Sequence, residues 1–448
     1  AMQQVKAQAT LLQDVNYLVV GLGVSGYATA RFLLAHGYRC KIQDKRDLPP
    51  GLAQLKSQFT DVDFHAPALD SELIAWADTL VVSPGVSLRQ AEIRQALASG
   101  KSVIGDIELF ARLADKPVIA ITGSNGKSTV TTLVGKMIAA DGQAVAVGGN
   151  LGTAALDLLE QAADCYLLEL SSYQLETCES LKPRVAALLN LSEDHLDRYD
   201  SYGDYVKAKL RIFDHAEICV SNCDDSVTRH DVDDLCFSLD PASPAEFRLQ
   251  DRQGLWLARA EEAWINVDEL RISGRHNWAN CLAAMAIASA MGISRKAIVA
   301  AMKDFEGIPH RSQWVAEIDG VEWINDSKAT NVGAAQASIE GRDRPVILIA
   351  GGQSKGADVS LMRQTLSDRV KLVLLMGEDA ELMQQAWQGS TRIERVENMQ
   401  QAVACAQQQA LTGDCVLLAP ACASFDMYEK FEARGDDFMA RVRALIDG

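Results

Sequence analysis

Eight consecutive residues, Thr122-Gly123-Ser124-Asn125-Gly126-Lys127-Ser128-Thr129, carry the strongest chemical signal in the chain. Glycines let backbone N–H groups turn inward onto phosphate oxygens. A helix opening here adds the partial positive charge of its N-terminus. Lys127 then reaches the β- and γ-phosphates, and the Ser128 hydroxyl can ligate Mg²⁺. The loop is two residues shorter than the common P-loop, because Ile121 stands where that spacing puts glycine. A purely structural strand–helix turn is the alternative.

A second glycine pattern, Gly21-Leu22-Gly23-Val24-Ser25-Gly26, has Asp44 beyond it. Read directly, it is a dinucleotide cradle with an acid on the ribose. A phosphate-sized cradle also fits a mononucleotide sugar. Ser83-Pro84-Gly85 can line the same crevice or be a packing turn. Glu169, at the end of a buried strand, is placed to hold Mg²⁺ beside the P-loop. In Asp194-His195-Leu196-Asp197, His195 can ligate a metal, contact a reacting carboxylate, or be structural. Arg311, Asp326, Lys328 and Thr330 cluster where a third segment begins; an arginine and an aspartate there can clamp a nucleotide's phosphates and ribose, and a solvated hairpin end is the alternative. Gly351-Gly352-Gln353-Ser354-Lys355-Gly356 makes another anion cradle. Ala423-Ser424-Phe425 can offer hydroxyl and N–H donors to a carboxylate.

Positioning these groups requires strands that end where the motifs begin. Segments at 17–20, 39–43, 79–82 and 102–104 read as strands, the first a buried apolar one, with a turn at 21–26 and helices at 27–36 and 92–98. In the middle segment, strands at 117–122, 144–147, 166–170 and 185–189 accompany a loop at 123–126 and a helix at 127–140. Residues 221–273 lose helical periodicity and read as short antiparallel strands and loops. Helices follow at 277–291 and 295–305. Asp319-Gly320 marks a hairpin between 313–318 and 321–324, and strands at 346–350, 372–375 and 416–418 complete the chain. Strands alternating with helices imply parallel βαβ units. The expected architecture is three α/β domains: a Rossmann-like 1–105, a central P-loop ATPase-like 106–311 with a small added β part, and a Rossmann-like 312–448.

Composition narrows the class. The chain has 448 residues, 48% apolar and 23% charged, with 43 Lys and Arg against 60 Asp and Glu, for a formal charge of −17. That acidity argues against nucleic acid as the main ligand. No apolar run approaches the roughly 20 residues that cross a bilayer, and no secretory leader pattern opens the chain. Ala1 and Met2 read as a cloning remnant before a native start. The ten cysteines are scattered, and they read as reduced cytosolic thiols without a disulfide frame or zinc site.

Taken in order, GLGVSG, SPG, GDIELF, TGSNGKST, GGN, ELSSYQLET, NLSEDHLDRY, YVKAKLRIF, GRHNWAN, PHR, NDSKATN, GGQSKGAD and PACASFDMYEKFEARG resemble the Mur ligase family of ATP-dependent amide-bond ligases over essentially the whole chain. ELSSYQLE, NDSKATN and the last motif favour its D-glutamate-adding member. The resemblance implies the cytoplasmic addition of D-glutamate to UDP-N-acetylmuramoyl-L-alanine by a monomer, with ATP as co-substrate and two Mg²⁺. It places Val24 and Ser25 at the diphosphate, Asp44 and Arg46 near the uridine, Gly85 in the same site, and Asn150 at the muramoyl part. Gly123, Ser124, Asn125, Gly126, Lys127, Ser128 and Thr129 would bind ATP, with Asn280, Arg311 and Asp326 holding the nucleotide. Glu169 and His195 would ligate magnesium beside Ser128, and Lys209 falls where the family carbamylates a lysine (N6-carboxylysine) to bridge metal. Lys328, Thr330, Lys355, Ser424 and Phe425 would hold D-glutamate, with Phe431 closing the pocket.

Two departures, Ser354 for the Asp and Val359 for the aromatic of many relatives, touch the amino-acid pocket. Three rivals remain: a nicotinamide dehydrogenase, a folate-polyglutamate-type ligase and a UDP-sugar sensor. The first leaves the Gly-Lys-Ser loop unexplained, and the second needs no leading GxGxxG domain. A requirement for both UDP-sugar and D-glutamate in phosphate release excludes the third.

Overall fold

The computed structural model describes residues 14–124, 126–150, 152–191, 199–342 and 344–447. They form a three-domain α/β fold with three sheets. By compactness they fall into two units, one holding the described residues up to Ile265 with Asn280–Ala301, the other Asn266–Ala279 with the described residues from Met302.

The first unit opens with a parallel sheet of β1 (Asn16–Val20), β2 (Arg39–Gln43), β3 (Phe64–His65), β4 (Thr79–Val82) and β5 (Ser102–Ile104), ordered β3-β2-β1-β4-β5. Leu18 and Val20 pack on one face with Leu80 and Val82, while Tyr17 and Val19 pack on the other with Val81. Burial on both faces is why these strands read as unbroken apolar runs. Strand order reverses at β1, so a crevice opens at the carboxyl ends of β1 and β4, where Gly21 and Ser83 lie. The helix after β1 runs Val24–Ala35 and so begins inside the expected 21–26 turn. Gly26 lies within it because a Cβ there would meet Gly21 O at 1.9 Å, so this glycine serves close packing rather than turning.

The unit's second sheet has nine strands: β6 (Val118–Thr122), β7 (Val145–Gly149), β8 (Cys165–Glu169), β9 (Val185–Leu188), β10 (Ile218–Asn222), β11 (Leu235–Ser238), β12 (Phe247–Asp251), β13 (Leu255–Arg259) and β14 (Glu262–Asn266), ordered β14-β13-β12-β11-β10-β9-β6-β8-β7. The reading of 221–273 as antiparallel strands and loops is corrected here. β10, β11 and β12 extend the central sheet in parallel, and antiparallel pairing enters between β12 and β13. Their connections hold only a short 3-10 turn and loops, so no helical period announces a parallel crossover. The same pairing corrects the cysteine reading. Cys223 N–H donates to Phe237 O, and Cys223 and Cys236 form a disulfide with Cα atoms 5.8 Å apart.

The second unit holds a six-stranded sheet of β15 (Gln313–Ile318), β16 (Val321–Asn325), β17 (Val346–Gly351), β18 (Val370–Met376), β19 (Ile393–Arg395) and β20 (Cys415–Leu418), ordered β15-β16-β20-β17-β18-β19. β15 and β16 form the expected hairpin, with Asp319 and Gly320 at φ of 52° and 76°. Ile347 and Ile349 face one apolar layer and Leu348 and Ala350 the other. Among the described residues no helix is long and apolar enough to cross a membrane.

Candidate functional site

In the first unit, β6 runs buried between β8 and β9 and delivers its carboxyl end into the 123–126 loop. Gly126 caps the helix Lys127–Ala140 in the left-handed region, φ 82°, where a Cβ would also meet Asn280 Oδ1 at 2.4 Å. This pairing brings Asn280 to the loop. Lys127 Nζ donates to Gly123 O at 2.7 Å. Ser128 Oγ lies 3.2 and 3.1 Å from the two carboxylate oxygens of Glu169, which ends β8; both side chains are buried, as is Thr129. Lys209, on the helix Tyr202–Leu210, is 2% exposed and donates to Thr122 Oγ1 at 2.8 Å and to Gly123 O at 3.0 Å. Asn150 follows the glycine pair ending β7, exposed, with its N–H on Glu169 O at 2.7 Å. Lys127, Ser128, Glu169 and Lys209 therefore meet around one loop. Asn125 and His195 lie outside the described residues.

Two further groups here lie in the motifs of the resemblance without a role assigned to them. Asn190 accepts the Ser124 N–H on both Oδ1 and its backbone O, each at 3.0 Å. Tyr205 Oη lies 3.0 Å from Ser124 Oγ, and its ring lies 5.8 Å below Lys209 Nζ. Asn190 opens NLSEDHLDRY directly after the 185–189 run, and Tyr205 opens YVKAKLRIF one helical turn from Lys209.

At the first sheet, Ser83 Oγ donates to Gly21 O at 3.0 Å, pinning the glycine turn to the SPG segment. Asp44 is buried, and both its oxygens are engaged. Oδ2 accepts from Leu22 N–H at 2.7 Å and Arg46 Nη2 at 2.9 Å; Oδ1 accepts from Arg46 N–H at 2.8 Å and Nε at 3.0 Å. Burial opposes its charge, but Arg46 and the Leu22 N–H win and hold the carboxyl down at about 2. Val24, 76% exposed, and exposed Gly85 border this turn, as does half-buried Ser25.

The second unit assembles its centre from separate segments. Arg311 lies between His310 and Ser312, both at positive φ. Asp326 follows β16, buried; burial raises its pKa against Ser338, the Ser312 N–H, Arg342 and Arg311. Lys328 N–H donates to His310 O at 3.0 Å and Thr330 N–H to Lys328 O at 2.8 Å. Gln353 and Ala423 exchange backbone hydrogen bonds at 3.0 Å, which brings the 351–356 cradle against Ala423-Ser424-Phe425. Gly351 and Gly352 permit this, because a Cβ would meet Met376 O at 1.8 Å and Ala423 O at 2.3 Å. Lys355 Nζ sits 5.2 Å over the Phe425 ring, 61% exposed. Ser424 is 2% exposed, and among the described residues its Oγ has no hydrogen-bond partner. Phe431 opens the last helix, its ring 6.2 Å from His310. Ser354 N–H and Oγ both bind Asp379 Oδ2, and Val359 is buried.

Arg434 belongs to the PACASFDMYEKFEARG motif, in which the resemblance implies roles only for Ser424, Phe425 and Phe431. It is 2% exposed and donates from Nε to Ser327 Oγ at 2.9 Å, from Nη2 to Ser327 O at 2.8 Å and from Nη1 to Cys422 O at 3.0 Å. Ser327 Oγ in turn donates to Phe431 O at 2.7 Å. One guanidinium thus joins the segments bearing Lys328, Ser424 and Phe431. Burial lowers its pKa to about 10.

Three family descriptions match this chain: a Mur ligase MurD-like N-terminal domain over residues 15–105, a Mur ligase middle domain over 121–288, and a Mur ligase glutamate ligase domain over 310–422. The chain is 47% identical over 433 residues to a protein of Methylococcus capsulatus named UDP-N-acetylmuramoylalanine–D-glutamate ligase, covering 96% of this chain and 94% of that one. It is 47% identical over 444 residues to the Pseudomonas aeruginosa protein of the same name, covering 97% and 99%. Among solved structures, a pseudomurein peptide ligase type C from Methanothermus fervidus shares the fold at TM-score 0.58 and 17% identity, over 96% of this chain and 100% of that one.

Proposed function

This chain belongs to the Mur ligase family, and from that premise we propose that it is the ligase joining D-glutamate to UDP-N-acetylmuramoyl-L-alanine, with ATP converted to ADP and phosphate. The observation that carries the reading is the convergence of Lys127, Ser128, Glu169 and Lys209 around the glycine loop at the end of β6. The same reading takes 1–105, 106–311 and 312–448 as working domains for UDP-sugar, ATP and amino acid. It also takes the protein as a monomer, and its nucleotide substrates are those of the cytoplasm.

A carboxylate is a poor acyl donor, because its leaving group would be oxide. ATP's γ-phosphoryl passes to the L-alanyl carboxylate, giving an acyl phosphate; the D-glutamate amine attacks, and the tetrahedral intermediate expels phosphate. Both steps bring anions together, so Lys127 must be aimed at the transferring group. Asn280, Arg311 and Asp326 hold the nucleotide. Val24, Ser25, Asp44, Arg46, Gly85 and Asn150 hold the UDP-sugar. Asp44 acts through the turn, since its oxygens are already committed to Leu22 and Arg46, and this also weakens the nicotinamide alternative. In the amino-acid pocket, the unpartnered Ser424 hydroxyl and the Lys355 ammonium suit a dicarboxylate, flanked by Lys328, Thr330, Phe425 and Phe431.

Ser128 Oγ and the Glu169 carboxylate form an oxygen donor set that fits a hard cation; in this reading Lys209, as a carbamate, and His195 would complete the residues that hold it. Magnesium bound there supplies charge neutralisation for phosphoryl transfer.

The test is phosphate release against a panel of D- and L-amino acids with UDP-N-acetylmuramoyl-L-alanine. Release that requires the nucleotide sugar and D-glutamate together is expected. Release with another amino acid in preference, or with no ADP formed, overturns the proposal.

A further inference from the structure

The segment between β10 and β11 carries groups that the ligase reaction does not use. Cys219 lies on β10, and His230 and Asp234 lie on the connection leading to β11. Their ligand atoms, a thiol sulfur, an imidazole nitrogen and a carboxylate oxygen, all fall within 4.8 Å of one another. We propose that Cys219, His230 and Asp234 form a second metal site, of the zinc class, with a fourth position open to water.

The donor types favour that ion class. Sulfur and imidazole select zinc-like cations over magnesium, which prefers oxygen alone. Zinc–donor bonds of about 2.0–2.3 Å place tetrahedral donors roughly 3.3–3.8 Å apart, so a movement of about 1 Å closes the site. His230 is the exposed member and can supply it. The carboxylate is already oriented. Asp234 Oδ2 accepts the His230 N–H at 2.8 Å and the Asp231 N–H at 3.1 Å, and Oδ1 lies 3.9 Å from His230 Nδ1. The His230 ring rests 5.3 Å from Phe213. Outer-shell bonds of this kind fix ligand geometry. The cation nearest in sequence, Arg229, is turned to the sulfurs of Cys223 and Cys236, at 3.4 and 3.5 Å, and to Asp231 O.

The site also has a mechanical connection. Asp225, in the same connection, accepts the Leu191 N–H at 2.8 Å, and Asn222 Nδ2 donates to Leu189 O at 3.0 Å. Metal held here stiffens the support of the strand exit beside the P-loop.

The experiment titrates Co²⁺ and Zn²⁺ into the chelator-treated full-length chain in excess Mg²⁺. Oxygen-ligand sites give no thiolate-to-cobalt charge-transfer band, so that band reports sulfur ligation. One equivalent of Co²⁺ with the band, displaced by Zn²⁺, is expected, and Zn²⁺ in about hundredfold excess over its dissociation constant should raise the melting temperature by about 5 °C. Cys219→Ser should abolish band and shift, His230→Gln should weaken binding at least tenfold, and both should keep the metal-free melting temperature. The double variant Cys223→Ser/Cys236→Ser should keep the band. No band in the wild-type chain, a band surviving in Cys219→Ser, or a band lost in the double variant each overturns the proposal.

Discussion

The proposed phosphate-binding centre and the proposed amino-acid centre both sit at the carboxyl edge of parallel strands, yet they are built by opposite means. The first is local: β6, a four-residue loop and one helix place Gly123, Lys127 and Ser128 within a single stretch, and Glu169 and Lys209 arrive from outside. The second has no such core. Its residues come from 328–330, 351–356, 423–425 and 431, held in register by Arg434 and by the Gln353–Ala423 pair. A local centre should lose chemistry and keep its fold when one residue is removed. A dispersed centre should lose shape first.

The largest effect should come from Lys127→Ala. Removing one charge aimed at a transferring phosphoryl costs on the order of 10²–10³ in turnover, while the melting temperature and UDP-sugar binding stay near wild type. ADP release at an unchanged rate would end the assignment. Lys209→Ala should follow, with a loss on the order of 10²-fold that short-chain carboxylates partly restore by supplying the missing oxygens. A bare ammonium in a density map, together with no rescue, would remove carbamylation from the account.

Arg434 tests the other half of the comparison. Arg434→Met leaves Ser327 O, Ser327 Oγ and Cys422 O short of a donor, costing about 3 kcal/mol or more. Lysine should not rescue it, since an ammonium cannot reproduce the planar fork. The KM for D-glutamate should rise and that for ATP stay nearly constant. A variant of wild-type stability with both KM values unchanged would show that the dispersed centre needs no such clamp.

The same contrast explains what was legible in the sequence. The P-loop, its strand and the helix Lys127–Ala140 are fixed by neighbours within a few residues, and the hairpin at Asp319-Gly320 by its own turn chemistry. What stayed hidden depends on contacts far apart in the chain. The parallel course of β10–β12, the Cys223–Cys236 disulfide and the three acceptors of Arg434 all arise from strand pairing or loop meeting that no local period encodes. The start of the helix Val24–Ala35 was missed for a related reason: Gly26 looks like a turn residue, and only the approach of Gly21 O shows it to be a packing residue.

Asp44 gives a smaller, pH-coded effect. Its folded pKa, about 2, lies below the ordinary 3.8. A depressed carboxyl contributes stability that is fully present above the unfolded value and is lost as pH falls toward the folded one. Asp44→Asn should therefore cost about 2 kcal/mol near neutrality, and the gap to wild type should close between about pH 4 and pH 2. Chemical denaturation across that range measures it. A gap that does not depend on pH would mean that the Leu22 and Arg46 contacts act through shape alone.

Ser424 should show the least effect on stability and so separates binding from folding within the dispersed centre. Its Oγ is buried and unpartnered, so the folded state already carries the cost of desolvating it. Ser424→Ala removes that cost and should leave stability unchanged or slightly raised. If the hydroxyl waits for a substrate carboxylate, the same variant should raise the KM for D-glutamate about tenfold, the equivalent of one hydrogen bond of about 1.4 kcal/mol. Turnover at saturation should change much less, because the contact is made in the ground state and the transition state alike. A KM equal to wild type would show that this hydroxyl is buried for packing, and that the carboxylate is read by Lys328, Thr330 and Lys355 without it.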